Sequence, residues 1–398
     1  MQITRMWFSR ELSTVLKKNI KTRPAILLTG ARQAGKTSLL REVFPKAVYA
    51  SLDLPLVAEE AENSGQSFLA KYNRPLILDE VQYAPSLFRY LKVAIDEDRK
   101  KNGQYLLTGS QKFSLMQGVS ESLAGRVAIF NLHSLSAREF QKHTGEKLEG
   151  FNLLEWIWKG GYPEVHAQSL DPGRFYADYV TTYLERDLRQ IVQVKSLRDF
   201  HRFLRLLATR SAQLISYHAL ASDLGLSPHT IKAWMSALEA SNIIYLLPPY
   251  FENLGKRQVK SPKVYFLDTG LLCFLLGIHQ VKDIKSSSLL GSIFETHVLG
   301  QMVRHFDHQG MPPEIYFYRD HHGMEVDFII PSGAKLKLYE AKFSEKPDVK
   351  AWKNLLKVRE QMGANKVESL HIINSLEGKR KIAKEERYLE GSVALKSL

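Results

Sequence analysis

Cysteine is almost missing: Cys273 is the single one in 398 residues. That excludes an internal disulfide framework and any cysteine-based zinc cluster. Long apolar runs are missing too; no stretch approaches the ~18 uncharged apolar residues of a membrane span. The opening stretch Met1–Arg10 carries basic residues but no apolar segment of about 7–15 residues behind them, so no secretory leader is expected and the reading is cytoplasmic. Low-complexity sequence is absent, and 44% apolar with 24% charged residues describes folded chain over most of the length. At roughly 100–150 residues per domain, about three domains are expected. Acidic residues are in deficit, 42 against 55 Lys and Arg, for a net charge of +13. An excess of that size favours polyanionic partners such as nucleic acid, nucleotide or an acidic membrane surface.

What is present begins at Ala25-Ile-Leu-Leu, a short apolar run that fits a strand buried on both faces. It leads into Gly30, Ala31, Arg32, Gln33, Ala34, Gly35, Lys36, Thr37 and Ser38, a complete G-x-x-x-x-G-K-[ST] match. The two glycines let backbone N–H groups turn inward onto phosphate oxygens, and the following helix adds its positive end. Lys36 reaches the β- and γ-phosphates and the Thr37 hydroxyl ligates magnesium, which makes ATP and Mg2+ the expected cofactors.

Pro75-Leu-Ile-Leu-Asp79-Glu80 is a second buried strand, ending in two carboxylates. Asp79 is placed to hold the metal and Glu80 to polarise the attacking water. A third strand, Gln104-Tyr-Leu-Leu-Thr108-Gly-Ser110, offers two hydroxyls that either sense the γ-phosphate or belong to an ordinary polar turn. Arg126 and Arg186 are the candidate guanidinium groups for the transition-state charge, supplied within the chain or from a neighbour in an oligomer; the competing reading of each is a surface ion pair.

Taken in order, Gly30–Thr37, Leu78-Asp-Glu-Val-Gln82, Leu107-Thr-Gly-Ser110, Leu123-Ala-Gly-Arg126, Leu135-Ser-Ala-Arg-Glu-Phe140 and Gly160-Gly-Tyr-Pro163 resemble the successive signatures of a prokaryotic AAA-type ATPase family with a C-terminal domain of unknown function. The resemblance implies an AAA-like core with Lys36, Thr37, Asp79 and Glu80 in the roles above. It assigns no target.

Beyond the Gly160-Gly161 turn, residues 175–203 are charged, amphipathic and free of Pro and Gly, which predicts linking helices. Tyr217 to Leu238 then shows two helices around Gly225, the second capped by Ser227 with Pro228 at its first position. Strands at 242–247 and 263–267 follow, so a winged helix is expected. As a DNA reader it would place His229, Thr230 and Lys232 in the major groove and Lys256, Arg257 and Lys260 on backbone phosphate. As a protein-pairing unit it would use Trp234 and Met235 for packing, and both readings stand.

The last third holds a helical stretch from Gly291, a strand at 315–318, and a hairpin of Glu325–Ile330 with Leu336–Lys342 through Pro331-Ser-Gly333. Glu340 and Lys342 share one strand face, with Asp327 opposite. Glu295, Asp327, Glu340 and Lys342 resemble the PD-(D/E)XK restriction-endonuclease-like site, with Val326 where the motif has Pro. That resemblance implies magnesium and phosphodiester cleavage, set against a degenerate domain that binds without cutting. His321-His322 and His305 to His308 lack a zinc pattern and are expected in loops.

The expected architecture is multidomain α/β: an AAA-like parallel-sheet P-loop ATPase over 1–165, a helical linker over 166–205, a winged helix-turn-helix over 206–284 and a restriction-endonuclease-like domain over 285–398. The expected partners are ATP and ADP, then DNA or another nucleic acid, or a protein. Two functions compete: an ATP-driven machine whose C-terminal modules act on nucleic acid, and a nucleotide-switched protein-binding module with an inactive nuclease-like domain.

Overall fold

The computed structural model describes residues 7–110, 121–184, 196–250, 261–344, 349–376, 378–383, 387–393, 395 and 398. Five short strands, β1 (Ala25–Thr29), β2 (Val48–Ser51), β3 (Leu76–Asp79), β4 (Tyr105–Gly109) and β5 (Val127–Asn131), form one parallel sheet in the order β2-β3-β4-β1-β5. Strands β1, β3 and β4 are buried along their whole length, as their unbroken apolar runs require when helices cover both faces. Because every strand runs the same way, the loops after β1, β3 and β4 gather at one sheet edge. Helix α1 (Lys36–Val43) starts there, directly after the glycine loop.

The middle of the chain packs α2 (Leu197–Thr209) against α3 (Tyr217–Leu224) and α4 (Pro228–Ala240), beside an antiparallel sheet in the order β6 (Gln213–Leu214), β8 (Lys263–Phe266), β7 (Ile244–Leu247). Gly225 ends α3 in the left-handed region at φ 69°, and the Ser227 hydroxyl caps α4 by accepting from the Thr230 N–H at 3.1 Å. Trp234 of α4 fills the space between Phe200 and Phe203 of α2, with ring centroids 5.3 and 5.2 Å away. Apolar packing therefore uses one face of α4, while His229 and Lys232 stand exposed on the other.

The C-terminal sheet is mixed, in the order β13 (Lys379–Ala383), β14 (Arg387–Gly391), β12 (Val367–Asn374), β11 (Lys335–Ala341), β10 (Glu325–Ser332), β9 (Tyr316–Arg319). Helix α5 (Leu290–His308) packs on β11 and on β8, and α6 (Val349–Met362) covers β10, β11 and β12. The middle and C-terminal sheets are knitted by backbone: Phe317 of β9 donates to Pro248 at 3.1 Å and accepts from Tyr250 at 2.7 Å. The largest apolar cluster runs across these parts, from Phe8 through Trp234 and Phe294 to Leu395. Among the described residues, no helix is long and apolar enough to cross a membrane.

One expectation needs correcting here. His305 and His308 are not loop residues; they lie in the last turn of α5, which continues past Arg304 because no Gly or Pro interrupts it before Gly310. His321 and His322 do sit in a turn, between β9 and β10.

Candidate functional site

The glycine loop is shaped by contacts that only glycine tolerates. Gly30 has φ 142°, and a Cβ there would lie 2.0 Å from the Leu132 carbonyl oxygen, so any side chain would push the loop off the edge of β5. Gly35 has φ 93° and opens α1, turning the backbone so that Lys36 and Thr37 head the helix. Lys36 is 5% exposed, and its ammonium donates to the carbonyls of Gly30 and Ala31, each at 3.0 Å. The loop is anchored on two more sides. Gln33 donates to the Tyr183 hydroxyl at 3.1 Å, and buried Arg10 donates to the Ala34 carbonyl at 2.9 Å.

Strand β4 lies between the loop strand β1 and the acidic strand β3, and that order brings the separated motifs together. The Thr37 hydroxyl donates to Asp79 Oδ1 at 2.6 Å, Thr108 donates to the same oxygen, and the Tyr49 hydroxyl donates to Asp79 Oδ2 at 2.9 Å. The Thr108 oxygen also accepts from the Glu80 N–H at 3.0 Å, and Ser110 donates to Glu80 Oε2 at 3.2 Å, with Gln82 on the same oxygen. Glu80 sits at φ 55°, a left-handed conformation rarely adopted by a side-chain-bearing residue, held here at the loop edge. Burial raises its pKa, but Lys36, Gln82, Arg32 and Ser110 outweigh burial and hold it below the ordinary carboxylate value. Those four groups favour the ionised carboxylate. Tyr49 had no signal in the sequence, since it lies on a different strand from every motif.

The structure removes Arg126 from this set within its own chain. Its carbonyl accepts from the N–H of Ala25 at the start of β1, whereas the glycine loop follows the strand's other end. Five strand residues, about 16 Å, separate the two edges. The guanidinium is engaged instead in a two-bond pair with Asp96, at 2.8 and 2.7 Å. Arg186, Lys256, Arg257 and Lys260 lie outside the described residues.

The C-terminal carboxylates do converge. Glu295 comes from α5, Asp327 from β10, and Glu340 with Lys342 from the end of β11 and just beyond. Asp327 Oδ2 accepts from the Ala341 N–H at 2.9 Å, and Lys342 pairs with Glu340 at 2.8 Å. Two residues that the sequence reading did not single out complete the cluster. Lys263 of β8, 2% exposed, reaches Glu295 at 2.9 Å, Asp327 at 4.0 Å and Glu325 in direct contact. Tyr265 donates to Glu295 at 2.6 Å. Burial, then the nearby Asp327, raises the Glu295 pKa to about 7 and that of Glu340 to about 8. The available signal was a lysine opening an otherwise apolar strand, Lys263-Val-Tyr-Phe, buried at all four positions. Magnesium, implied by the nuclease resemblance, does not fit here: an ammonium stands among the carboxylates, and among the described residues no group of three or more His, Cys, Asp or Glu is arranged to hold a metal.

A polar junction joins the parts. Arg10 pairs with Glu139 at 3.1 Å, and His308 of α5 lies 3.6 Å from the same carboxylate. His133 meets Asp307 at 2.6 Å, and Arg304 donates to Ser134 and to the Leu267 carbonyl. Asp268 accepts from Ser134, Tyr176 and the Gly161 N–H. Gly160 must be glycine, because a Cβ there would lie 2.2 Å from the Tyr176 hydroxyl and 2.3 Å from Asp268.

Comparison with known proteins agrees with the loop geometry. Residues 22–141 match the family profile described as an AAA domain, residues 150–282 one described as a domain of unknown function (DUF8612), and residues 290–389 another (DUF4143). The uncharacterized protein Rv2008c of Mycobacterium tuberculosis is 31% identical over 342 residues, covering 85% of this chain and 75% of that one. The uncharacterized protein MJ1637 of Methanocaldococcus jannaschii is 25% identical, covering 68% of this chain and 66% of its own. Among solved structures, the Walker-type ATPase paby2304 of Pyrococcus abyssi aligns with a TM-score of 0.45 and 17% identity, over 68% of this chain and 96% of that one. The chain belongs to the family of the mycobacterial Rv2008c protein, and carries an AAA-type P-loop ATPase domain ahead of its two domains of unknown function.

Proposed function

We propose that the chain is a magnesium-dependent ATPase whose nucleotide state repositions the C-terminal modules, and that these modules act on nucleic acid by binding it. The observation that carries the ATPase reading is the contact of Thr37, Thr108 and Asp79 at the edge where the glycine loop and Glu80 also lie. A hydroxyl and a carboxylate at 2.6 Å are a hard-oxygen pair suited to magnesium, which supplies neutralisation of phosphate charge when bound. Backbone N–H groups of residues 31–38 cradle the phosphates, Lys36 swings from the Gly30 and Ala31 carbonyls to the β- and γ-oxygens, and Glu80 accepts the proton side of the attacking water. Thr108 and Ser110 hold Asp79 and Glu80 in register.

We assign the modules as 1–165, 166–205, 206–284 and 285–398, the third as a winged helix and the last as a PD-(D/E)XK-like domain. The nucleic-acid reading rests on the net charge of +13 and on the exposed His229 and Lys232. Binding is preferred to cutting because Lys263 stands where a cleavage metal would be needed. The second reading, an ATP-gated nuclease, is favoured by the convergence of Glu295, Asp327, Glu340 and Lys342.

Labelled-ATP uptake and phosphate release test the first part. Lys36→Ala should lose uptake, and Glu80→Gln should keep uptake and lose turnover. Unimpaired turnover in Glu80→Gln would take the water-polarising role away from that residue. A salt-sensitive gel shift that survives Asp327→Ala and Lys342→Ala supports binding; metal-dependent cleavage abolished by either substitution supports the nuclease.

A further inference from the structure

The Asp79 carboxylate is held on one oxygen by motif residues and on the other by a residue that no motif contains. We propose that Tyr49 is a positioning residue for Asp79, that it fixes the rotation of this carboxylate and with it the affinity for the divalent ion accompanying nucleotide, and that Arg41 braces Tyr49 in this task. The inference rests on the ATPase reading and adds two residues to it.

The geometry divides the work between the two oxygens. Asp79 is 5% exposed; its Oδ1 accepts from Thr37 at 2.6 Å and from Thr108, whereas its Oδ2 receives the Tyr49 hydroxyl at 2.9 Å. A carboxylate rotates broadly about its last side-chain bond, so donors on one oxygen alone leave the other free to swing. A donor on each oxygen fixes the plane.

Strand register explains how Tyr49 gets there. In the parallel β2–β3 pair Tyr49 stands beside Ile77 and Ser51 beside Asp79, so Tyr49 meets Asp79 across a diagonal. Such a diagonal, about 7–8 Å, is within reach of an aromatic side chain and too long for Ser or Thr. Strand β2 lies at the outer edge of the sheet and leaves Tyr49 37% exposed, so a ring held at its tip alone would be loosely placed. Arg41 supplies the second hold, with its guanidinium 5.1 Å from the ring centroid. Arg41 follows Thr37 by one turn of α1. One helix face therefore reaches Asp79 twice, directly at Oδ1 and through the Tyr49 ring at Oδ2.

Metal affinity, read apart from turnover, tests this. Full-length chain is loaded with adenylyl imidodiphosphate, freed of excess, and titrated with Mn2+ under paramagnetic resonance. Tyr49→Phe keeps the ring and removes the hydroxyl; it should weaken Mn2+ binding about tenfold, the scale of one hydrogen bond to a charged group, and leave metal-free binding of the analogue within about twofold. Arg41→Met should weaken Mn2+ binding about threefold, and Arg41→Lys, which restores a cation over the ring, should recover most of that loss. Asp79→Ala should weaken Mn2+ binding by itself and make Tyr49→Phe silent, because the tyrosine acts through that carboxylate. In phosphate release, the half-saturating Mg2+ of Tyr49→Phe should rise by the same factor while the rate at excess Mg2+ is kept. Unchanged Mn2+ affinity in Tyr49→Phe would overturn the proposal. So would losses from Tyr49→Phe and Asp79→Ala that multiply, or an equal loss of metal-free analogue binding. Failure of the ATPase reading shows differently: the native chain would take up no analogue at all, and this inference would fall with it.

Discussion

Two buried lysines, Lys36 and Lys263, do opposite work. Lys36 lies at the mouth of α1 and donates to backbone carbonyls of its own loop at 3.0 Å. Lys263 opens a strand of one module and is locked among carboxylates of another. Exchanging a carbonyl for a phosphate oxygen is a small rearrangement, because the ammonium remains paired throughout. Taking Lys263 from its partners leaves buried negative charge uncompensated. The same side chain thus meets neutral carbonyls of its own loop in one place and carboxylates of a neighbouring module in the other, and under the proposed function only the first exchange is open to it.

Substitution should separate the two roles cleanly. The largest effect expected is on turnover: Glu80→Gln should lower phosphate release by on the order of 10²–10⁴ while ATP uptake persists, since only general-base help is removed. Lys36→Ala should lose uptake itself, with the denaturation midpoint nearly unchanged. Lys263→Ala should do the reverse, costing about 3–5 kcal/mol in urea unfolding because it breaks a buried ion pair. If both lysines shift stability alike, the contrast between the two settings fails.

A pH series sharpens the same comparison. Glu295 and Glu340 hold protons more tightly in the folded chain, near 7 and 8, than in an unfolded one near 4.5. Their contribution to stability is therefore complete below the ordinary carboxylate range and is withdrawn as pH rises through about 7 to about 8. Glu340→Gln should flatten that decline. Glu139, held down to about 2 mainly by Arg10 against the cost of burial, behaves oppositely: its contribution is present above 4.5 and is lost as pH falls through about 2. The smallest effect expected is Ser227→Ala, which removes the α4 cap and should cost about 1 kcal/mol in the same unfolding assay.

The phosphate-loop geometry was legible because its parts are contiguous. A glycine loop between an apolar run and a helix, and an apolar run ending in Asp-Glu, carry their geometry in adjacent residues. Thr108 and Ser110 were placed correctly as hydroxyls at a strand end, although only the β3-β4-β1 order explains why they meet Asp79 and Glu80. The pairing of Arg126 with Asp96, away from the loop of its own chain, was not legible because a strand's sequence does not say which sheet edge its first residue faces. Lys263 was invisible as a partner of Glu295, since a contact 32 residues apart between two modules leaves no periodic trace. His305 and His308 looked like polar loop residues, and the burial of His308 against Glu11 and Glu139 depends on a docking no local pattern records.

Helix α5 runs unbroken from Leu290 to His308, so Glu295 and His308 sit about 20 Å apart on one stiff shaft. One end carries a carboxylate grasped by Lys263; the other abuts Glu139, which Arg10 also holds while gripping the Ala34 carbonyl of the phosphate loop. An unbroken series of contacts therefore spans from the phosphate loop to the Lys263 pair, with one straight helix as its long member.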